Sequence, residues 1–333
     1  MKVLLLGVGM QGKAALHDLV NSPAVDKIFA ADREFEALQA HVTSKKDGSM
    51  VHCNYVDAAD PENINHLMRQ GPDVVIDLLP VPFSGTVASA AVKYGVHLVN
   101  AFYVLPELKE LSDQAKAQGV TLLPEFGMDP GIDLVLLGEA VRSLDSVEDI
   151  ISYGAGIPEP QAADNPIKYK VTWTFEGVLK SYRRAGRIIR DGEIVEIDEG
   201  EMFYPVNIHE VEVEGLGWLE AIPNGVALEY ADLLGVKPSD LRNLGRYSLR
   251  WPGHCAFWKT MVDLHLLDDE PVLVDGVAVD RNRFVAAAIE PFIQYRADER
   301  DVVIVRVEVK GWQGDHRKQA VYQLIDRRDL KTG

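Results

Sequence analysis

The chain has 333 residues, of which 47% are hydrophobic and 26% are charged, as in an ordinary globular protein. It carries 34 Lys and Arg against 51 Asp and Glu, which gives a formal net charge of −17. Because a field of that sign repels phosphate polymers and anionic bilayers, neither nucleic acid nor a membrane is expected as a partner. The length suits two domains, since a single hydrophobic core stops growing at roughly 250–300 residues.

Cysteine usage and hydropathy narrow the class further. Cys53 and Cys255 lie far apart and form neither a disulfide framework nor a metal-ligand spacing, so we expect no metal and a reducing, cytoplasmic location. The apolar run at residues 2–6 is interrupted by glycines and is not expected to be a signal peptide. No stretch approaches the roughly 18–20 apolar residues that a membrane span needs.

The first twelve residues hold the most specific local motif. An apolar strand predicted at residues 2–6 leads directly into Gly7-Val8-Gly9-Met10-Gln11-Gly12, a G-x-G-x-x-G pattern between a strand and a helix. In that context the first glycine permits a tight turn, the second lets the backbone approach a pyrophosphate, and the third lets the helix pack on the strand. The helix start at Met10 and Gln11 then offers N–H groups to the phosphates.

An acid follows the second predicted strand. Asp32 ends the apolar run at residues 27–31, twenty positions after Gly12. A carboxylate there accepts hydrogen bonds from the ribose hydroxyls and repels a 2′-phosphate, which predicts NAD as the cofactor. The neighbouring Arg33 would offset part of that repulsion. A glycine turn followed by a solvated aspartate is the structural alternative.

Strands and helices alternate up to about residue 123. Strands are predicted near 2–6, 27–31, 51–55, 74–78, 97–100 and 121–123, and helices near 11–21, 34–46, 61–70, 84–94 and 106–118. The runs at 74–79 and 97–99 are continuously apolar, as expected for strands that are covered on both faces. The repetition predicts an α/β fold with a doubly wound parallel sheet of the Rossmann type.

After Pro130 the pattern changes to short, β-rich segments. Strands are predicted at Lys168–Thr174, Glu210–Glu214, Arg246–Arg250, Val302–Lys310 and Gln319–Ile325, and helices near 132–143, 226–234, 254–267 and 281–293. The pattern predicts a second, α+β domain with a mostly antiparallel sheet and helices on one face. The expected domains are residues 1–130 for the dinucleotide and residues 131–333 for substrate binding and dimerisation.

Several segments resemble the saccharopine dehydrogenase-like superfamily. The segment Gly127-Met128-Asp129-Pro130-Gly131-Ile132-Asp133 is similar to the Gly-x-Asp-Pro-Gly-Ile-Asp segment of saccharopine dehydrogenase (glutamate-forming) and its relatives. The likeness continues in order through residues 152–160, 165–170, 175–179, 247–254 and 322–327. The resemblance implies an NAD(P)-dependent amino-acid dehydrogenase that acts on a CH–NH or CH–NH2 bond of a small, lysine-related amino acid. A homodimer is the expected assembly.

Three departures from the family pattern bear on the substrate. The family's Pro-Asn-Arg-Asp motif, whose Arg holds a substrate carboxylate, reads Pro223-Asn224-Gly225-Val226 here. The Ser of the family's Ser-Tyr pair aligns with Phe102. Saccharopine enzymes also carry a longer helical insertion than this chain has after the segment that begins at Asp268. We therefore expect a lysine 6-dehydrogenase-like enzyme that uses NAD. Saccharopine dehydrogenase (glutamate-forming) and a non-catalytic NAD-binding sensor are the alternatives.

The resemblance also implies the site residues. Asp129 is expected to contact the substrate amine and the cofactor, and Tyr103 is expected beside the nicotinamide, so both are candidate catalytic and substrate-binding residues. Arg250 is expected to bind the substrate α-carboxylate as a two-pronged donor, with Ser248 on the same strand. His254 opens a helix, where the positive end of the dipole favours a neutral imidazole that acts as a base.

Structural roles stay open for each of these residues. Asp129 would otherwise form an Asx-turn, and Tyr103 would be an ordinary surface tyrosine. Arg250 would form a surface ion pair, and His254 would only pack or cap its helix. Glu125 and Asp77 also follow strands and are further candidates for the proton acceptor, so no base is assigned. The segments after the fourth and sixth strands are expected along the cofactor, namely Leu79, Pro80, Met128 and Pro130.

Overall fold

The computed structural model describes residues 1–43 and 48–331. These residues fall into two compact units, one that ends at Gly131 and one that begins at Ile132, and each unit has its own sheet and its own apolar clusters. The sequence predicts dinucleotide binding for the first unit and substrate binding for the second.

In the first unit, six of the described strands form a parallel sheet in the order β3-β2-β1-β4-β5-β6. The strands are β1 (Lys2–Leu6), β2 (Lys27–Asp32), β3 (Val51–Tyr55), β4 (Val74–Asp77), β5 (His97–Asn100) and β6 (Leu122–Leu123). The helices are α1 (Met10–Asn21), α2 (Phe35–Thr43), α3 (Pro61–Met68), α4 (Ser84–Tyr94), α5 (Pro106–Glu110) and α6 (Ser112–Ala117). The strand order reverses between β1 and β4, which is the topological switch point of a Rossmann sheet.

The apolar run of β1 explains its central position. Leu4 and Leu6 pack in one apolar cluster, whereas Val3 and Leu5 pack in another, so helices cover both faces of the strand. The predicted doubly wound sheet is confirmed. The helix predicted at 106–118 is instead divided at Leu111, which packs against two clusters at once. Residues 44–46 of the helix predicted at 34–46 lie outside the described residues.

The second unit holds a mixed, mostly antiparallel sheet of eight described strands. Their main path is β10-β11-β12-β7-β15-β16, with β8 beside β12 and β9 beside β8. These strands are β7 (Ser146–Pro158), β8 (Gly186–Arg190), β9 (Glu193–Ile197), β10 (His209–Val213), β11 (Gly217–Pro223), β12 (Asn243–Arg250), β15 (Asp301–Gln313) and β16 (His316–Arg327). Among these described strands, β7 and β12 are the one parallel pair.

Helices and a separate hairpin complete this unit. The helices are α7 (Ile132–Arg142), α8 (Phe175–Ser181), α9 (Leu228–Leu234), α10 (His254–Asp263) and α11 (Arg281–Ile289), and the hairpin strands are β13 (Val272–Val274) and β14 (Val277–Val279). Both α10 and α11 are shorter than predicted from the sequence. Within the described residues, no helix combines the length and hydrophobicity that a bilayer crossing demands.

The strand predicted at Lys168–Thr174 is wrong, because these residues form a loop. Lys168 has a φ of 48°, which lies outside the extended region. Lys170 is buried and pairs with Glu299 at 2.7 Å, so its burial comes from an ion pair and not from a sheet. The alternating apolar and polar residues at 168–174 therefore reflect individual side chains that are buried from a loop, and not one face of a strand. Sequence analysis also missed β7, β8, β9, β11, the hairpin and α8.

The two faces of β12 carry different groups. Leu244 packs in a cluster with residues of α7 and α9, whereas Tyr247 and Leu249 pack in a cluster with residues of β7, β10, β11 and β15. Since side chains alternate along a strand, Ser248 and Arg250 extend on the same face as Leu244. Two predicted substrate residues are thereby placed side by side on the helix-covered face of the sheet.

Candidate functional site

The glycine turn of the first unit has three distinct environments. Gly7 has a φ of 83°, and a Cβ there would lie 2.7 Å from the carbonyl oxygen of Leu78. A Cβ on Gly12 would lie 2.0 Å from the carbonyl oxygen of Gly7. A Cβ on Gly9 would have no atom within 4 Å. Two of the glycines are therefore required by the fold, whereas Gly9 faces open space at the start of α1.

This open space fits the phosphates of a dinucleotide. Gly9 precedes Met10, the first residue of α1, and both Met10 and Gln11 are exposed. Helix N-termini bind phosphate because their first N–H groups have no partner within the helix. The residues present therefore suit a pyrophosphate held by backbone groups at the switch point of the sheet.

Asp32 lies at the carboxyl end of β2, beside the glycine turn. Its Oδ2 accepts a hydrogen bond from Val8 N–H at 2.6 Å, and its Oδ1 accepts one from Glu34 N–H at 2.9 Å. The carboxylate thus ties β2 to the turn and has a fixed orientation. Arg33 is 75% exposed, and its Nε lies 3.7 Å from Glu34. A guanidinium so exposed has little to hold it in one place.

The segment after β4 lies along the same edge. Leu78 N–H donates to the Leu6 carbonyl at 2.9 Å and extends the β1–β4 pairing by one residue. Leu79 is buried and Pro80 is exposed. Asp77 is fully buried, and burial raises its pKa to about 6, partly offset by hydrogen bonds from Leu79 N–H and the Ser84 hydroxyl. Such burial makes Asp77 an internal group of the sheet and a poor partner for a substrate proton.

Asp129 occupies a tight turn after β6. Gly127 N–H donates to the Pro130 carbonyl at 2.9 Å, and Gly131 has a φ of 146°. A Cβ on Gly131 would lie 2.0 Å from the Gly127 oxygen, so the turn tolerates glycine alone there. Met128 and Asp129 are partly exposed within this turn, while Pro130 is buried. The geometry holds Asp129 at the same edge as the glycine turn.

The loop that carries Tyr103 is fixed by a residue that sequence analysis valued only as a possible base. Glu125 N–H donates to the Phe102 carbonyl at 2.9 Å, and the Glu125 Oε1 accepts from Val104 N–H at 3.1 Å. These two bonds flank Tyr103, whose side chain is 36% exposed. Glu125 therefore holds the loop. Only the tertiary pairing of residues far apart in sequence identifies this role.

Arg250 is the most unusual charge in the second unit. It is buried, with 8% of its surface exposed. Its Nε donates to the Tyr182 hydroxyl at 3.3 Å, its Nη1 donates to the Leu249 carbonyl at 2.8 Å, and the Tyr169 ring lies 5.6 Å from its Cζ. Within the described part of the chain, no carboxylate forms an ion pair with this guanidinium. A buried charge without a counter-ion is costly unless a ligand supplies one.

His254 lies next to this guanidinium, at the start of α10. It is 1% exposed, its Nε2 is 2.7 Å from the Tyr182 hydroxyl, and its Nδ1 is 2.8 Å from the Ile167 carbonyl. Burial and the charge of Arg250 lower the pKa of His254 to about 3, partly offset by the Ile167 carbonyl. This low pKa favours a neutral imidazole, and its main cause is burial and not the helix end. Both of its nitrogens are engaged.

The N-terminus of α10 is closed by a strand residue. Glu220 of β11 accepts hydrogen bonds from Gly253 N–H at 2.9 Å and from Cys255 N–H at 3.0 Å. A carboxylate at this end of a helix is favourable, because the N–H groups there have no helical partner. Glu220 fixes α10, and therefore His254, against the strand beside Arg250.

Gly225 has a neighbour that bears on the family's missing arginine. Gly225 has a φ of 70°, and a Cβ there would lie 3.3 Å from Cδ and 3.9 Å from Nη1 of Arg184. Arg184 is exposed, and its guanidinium forms no ion pair or hydrogen bond with the described residues. A guanidinium therefore lies against the position where relatives carry one.

The structure thus collects the predicted residues in two places. The first unit brings the cofactor residues to the carboxyl edge of its sheet, with Tyr103 and Asp129 at the same edge. The second unit brings Ser248, Arg250 and His254 together. Sequence analysis missed Tyr182, Tyr169 and Glu220, which have no local motif. Over residues 1–43 and 48–331, no cluster of three or more metal-ligating side chains forms.

The parallel sheet, its glycine turn and the acid after β2 define the chain as a Rossmann-fold, pyridine-nucleotide-binding protein. Residues 3–123 match the family described as the saccharopine dehydrogenase NADP binding domain, and residues 127–332 match the saccharopine dehydrogenase C-terminal domain. The chain belongs to the saccharopine dehydrogenase family. These matches confirm the predicted superfamily, and a solved structure with the same fold confirms the predicted fold class.

Two curated proteins and one solved structure illustrate the relationship. The chain is 30% identical over 283 residues to saccharopine dehydrogenase (NADP(+), L-glutamate-forming) of Pyricularia oryzae, covering 83% of this chain and 60% of that protein. It is 32% identical over 273 residues to the mitochondrial alpha-aminoadipic semialdehyde synthase of Mus musculus, covering 81% of this chain and 29% of that protein.

The structure of apo histidine-tagged saccharopine dehydrogenase (L-Glu forming) from Saccharomyces cerevisiae superimposes with a TM-score of 0.86 and 21% identity. The match covers 99% of this chain and 86% of that one, and at this identity it shows a shared fold alone. The chain spans 60% of the Pyricularia relative's length and 29% of the mouse protein's.

Proposed function

We propose that the chain is a pyridine-nucleotide-dependent amino-acid dehydrogenase that oxidises the secondary-amine C–N bond of saccharopine and releases glutamate. The relatives named above are saccharopine dehydrogenases and a semialdehyde synthase, which supports this substrate over free lysine. The observation that carries the proposal is Arg250, a buried guanidinium with no carboxylate partner among the described residues. An amino-acid carboxylate is the ligand that such a group binds best.

The reaction divides between two kinds of group. Bound NAD(P)+ supplies the acceptor for the hydride that leaves the amine-bearing carbon. The nitrogen must first lose its proton to water or to a carboxylate, and the resulting imine is hydrolysed by water to a carbonyl compound and a free amine. Asp129 and Tyr103 are our candidates for contacts with the reacting amine. Arg250 and Ser248 are our candidates for holding a carboxylate.

His254 is proposed to position substrate-binding groups and not to transfer protons. Its two nitrogens are occupied by Tyr182 and Ile167, and its low pKa keeps it neutral across the working pH range. A neutral, buried imidazole with both nitrogens bonded has no site for a substrate proton. The sequence-based expectation of a catalytic His254 is therefore replaced by a positioning role in our proposal.

Lysine, deaminated at its ε-amine, is the second candidate, and Gly225 favours it. Loss of an arginine at this position removes a carboxylate anchor, and lysine has one carboxylate where saccharopine has three. The argument is weakened by Arg184, whose guanidinium lies against Gly225 and offers a replacement anchor. We therefore place lysine second.

The assay that separates these substrates follows reduced nicotinamide absorbance with the purified chain, NAD+ or NADP+, and either saccharopine or lysine. Turnover of saccharopine but not lysine supports the proposal, and the reverse supports the lysine enzyme. Tight NAD(P) binding without turnover of either would favour the non-catalytic sensor and overturn both. Arg184→Ala, compared with wild type, should raise the KM for saccharopine and leave the KM for lysine unchanged.

The cofactor is proposed to be NAD, although the matching family domain and the Pyricularia relative are named for NADP. The support is the fixed Asp32 carboxylate beside the glycine turn, where it would repel a 2′-phosphate. NADP should bind at least about tenfold more weakly, a difference of about 1.4 kcal/mol. Calorimetry with both cofactors tests this, and Asp32→Asn should narrow the gap. Equal affinities in wild type would contradict the role of Asp32, with Arg33 then compensating.

Two further expectations are kept as proposals. A homodimer built on the second unit's sheet would show as twice the chain mass in sedimentation equilibrium. The cytoplasmic location rests on Cys53 and Cys255, both free thiols. Fluorescent tagging of the full-length protein in its own cell would test it.

A further inference from the structure

A chain of hydrogen bonds connects Arg250 to the backbone carbonyl of Ile167. It runs from the Ile167 carbonyl to His254 Nδ1 at 2.8 Å, from His254 Nε2 to the Tyr182 hydroxyl at 2.7 Å, and from that hydroxyl to Arg250 Nε at 3.3 Å. We name these four groups the Arg250 relay. His254 and Tyr182 are 1% and 2% exposed, so water does not compete for these bonds.

The donors and acceptors of the Arg250 relay can point in only one direction. A carbonyl oxygen only accepts, so His254 Nδ1 must carry a hydrogen. Since the imidazole is neutral, its Nε2 has no hydrogen and accepts from the Tyr182 hydroxyl. The hydroxyl proton is thereby committed, and the Tyr182 oxygen presents a lone pair to Arg250 Nε–H. One backbone carbonyl therefore determines the order of all three bonds.

This arrangement occupies two of the N–H donors of the Arg250 guanidinium and leaves three for a ligand. Of its five N–H donors, Nε–H is bound by Tyr182 and one Nη1–H is bound by the Leu249 carbonyl at 2.8 Å. One hydrogen on Nη1 and two on Nη2 remain. The Tyr169 ring, 5.6 Å from Cζ, restrains the plane of the group as well. The remaining donors form the edge that binds a carboxylate in a bidentate pair.

We propose that Tyr182 and His254 are positioning residues that orient the Arg250 guanidinium for a substrate carboxylate, with His254 setting the direction of the relay. The inference rests on the proposed function, which gives Arg250 its carboxylate ligand. Neither residue touches the reacting atoms. Their effect is on the affinity for the amino acid and not on the oxidation step, since a preoriented donor lowers the entropy cost of binding.

The central test compares Tyr182→Phe with wild type in the full chain. The phenyl ring keeps the packing but removes the lone pair for Arg250 Nε–H. We expect the KM for saccharopine to rise by about five- to tenfold, on the scale of one typical hydrogen bond. We expect kcat to change by less than about twofold, since no group at the reacting atoms is altered. The Kd of the nicotinamide cofactor should not change.

The chain offers a matched control in Tyr153→Phe. The Tyr153 hydroxyl lies 3.1 Å from His209 Nε2, and Tyr153 is 7% exposed, so it forms a similar buried pair. It packs on the other face of the sheet, and among the described contacts its hydroxyl receives no hydrogen bond from an arginine. This variant should keep the wild-type KM, which separates a general loss of stability from a loss of orientation.

A spectroscopic readout tests the direction of the relay without any turnover. Nitrogen-15 chemical shifts of labelled His254 should show the neutral tautomer with hydrogen on Nδ1 from about pH 5 to pH 9. A tautomer with hydrogen on Nε2 would overturn the relay. So would an active wild type whose Tyr182→Phe variant keeps the wild-type KM. Failure of the proposed function appears differently, as a wild type that neither binds nor oxidises saccharopine.

Discussion

Asp77 provides a test of how the nucleotide-binding sheet depends on pH. The residue ends β4 and is 0% exposed, and its Oδ1 accepts from Leu79 N–H at 3.1 Å. Its Oδ2 has no hydrogen-bond partner among the described residues. Burial raises its pKa from 3.8 to about 6. The folded chain therefore holds this proton more tightly than the unfolded chain does.

The sign and size of the effect follow from linkage. Stability from this group is fully present below about pH 4 and is lost as the pH rises through the folded-state pKa of about 6. A shift of this size corresponds to about 3 kcal/mol, of which about 2–3 kcal/mol is lost between pH 4 and pH 8. Asp77→Asn cannot ionise and keeps the Oδ1 acceptor. Between pH 4 and pH 8, the free energy of unfolding of the variant should therefore rise by about 2–3 kcal/mol relative to that of wild type.

Urea unfolding of both proteins at pH 4 and pH 8 measures this difference. The buried amide adds a donor without a partner, which costs about 1–3 kcal/mol at both pH values and so cancels in the comparison. Asp113→Asn is the control, because it makes the same substitution at a carboxylate that is 100% exposed. The difference in unfolding free energy between Asp77→Asn and wild type should depend on pH. If it is the same at pH 4 and pH 8, ionisation of Asp77 does not affect stability.

Substitutions at four further positions test other parts of the site. Gly12→Ala places a Cβ 2.0 Å from a backbone oxygen and should lower the free energy of unfolding by about 1–3 kcal/mol in chemical unfolding. Gly9→Ala should leave the free energy of unfolding unchanged, and it should raise the cofactor Kd about tenfold in calorimetry. Glu125→Ala should speed amide exchange at Val104 about fivefold, a loss of about 1 kcal/mol, while Glu125→Gln should not. Arg250→Met should abolish saccharopine binding in calorimetry, and a variant that keeps the wild-type Kd would refute the role of Arg250 as the carboxylate anchor.

The first unit was predictable because its signals are local and repeat. Continuous apolar runs mark strands that are buried on both faces, and glycine or proline residues mark the helix ends. β1, β2, β3 and β5 match their predicted ranges to within a residue. The second unit was less predictable. Its strand β7 pairs with residues more than ninety positions away, and short segments such as β8 and β9 have no periodicity that separates them from loops.

The site shows the same division. The glycine turn and Asp32 are adjacent in sequence to the elements that position them, so their chemistry could be inferred from spacing. Arg250 was inferred from resemblance, but its burial and lack of a carboxylate partner were not. Tyr182 lies 68 positions from Arg250, and no pattern in the sequence connects them. Glu125 was one of two candidate proton acceptors, and its two hydrogen bonds on either side of Tyr103 could not be inferred from the sequence.

The amino-acid sequence by itself determined the parallel sheet, the phosphate-binding turn and the family, because these depend on residues close together along the chain. Only the tertiary structure decided which polar groups are buried together. Burial removes water from Asp77, His254 and Arg250, and the resulting charge states and hydrogen-bond directions depend on neighbours that folding brings from distant segments. Local periodicity carries no information about those neighbours.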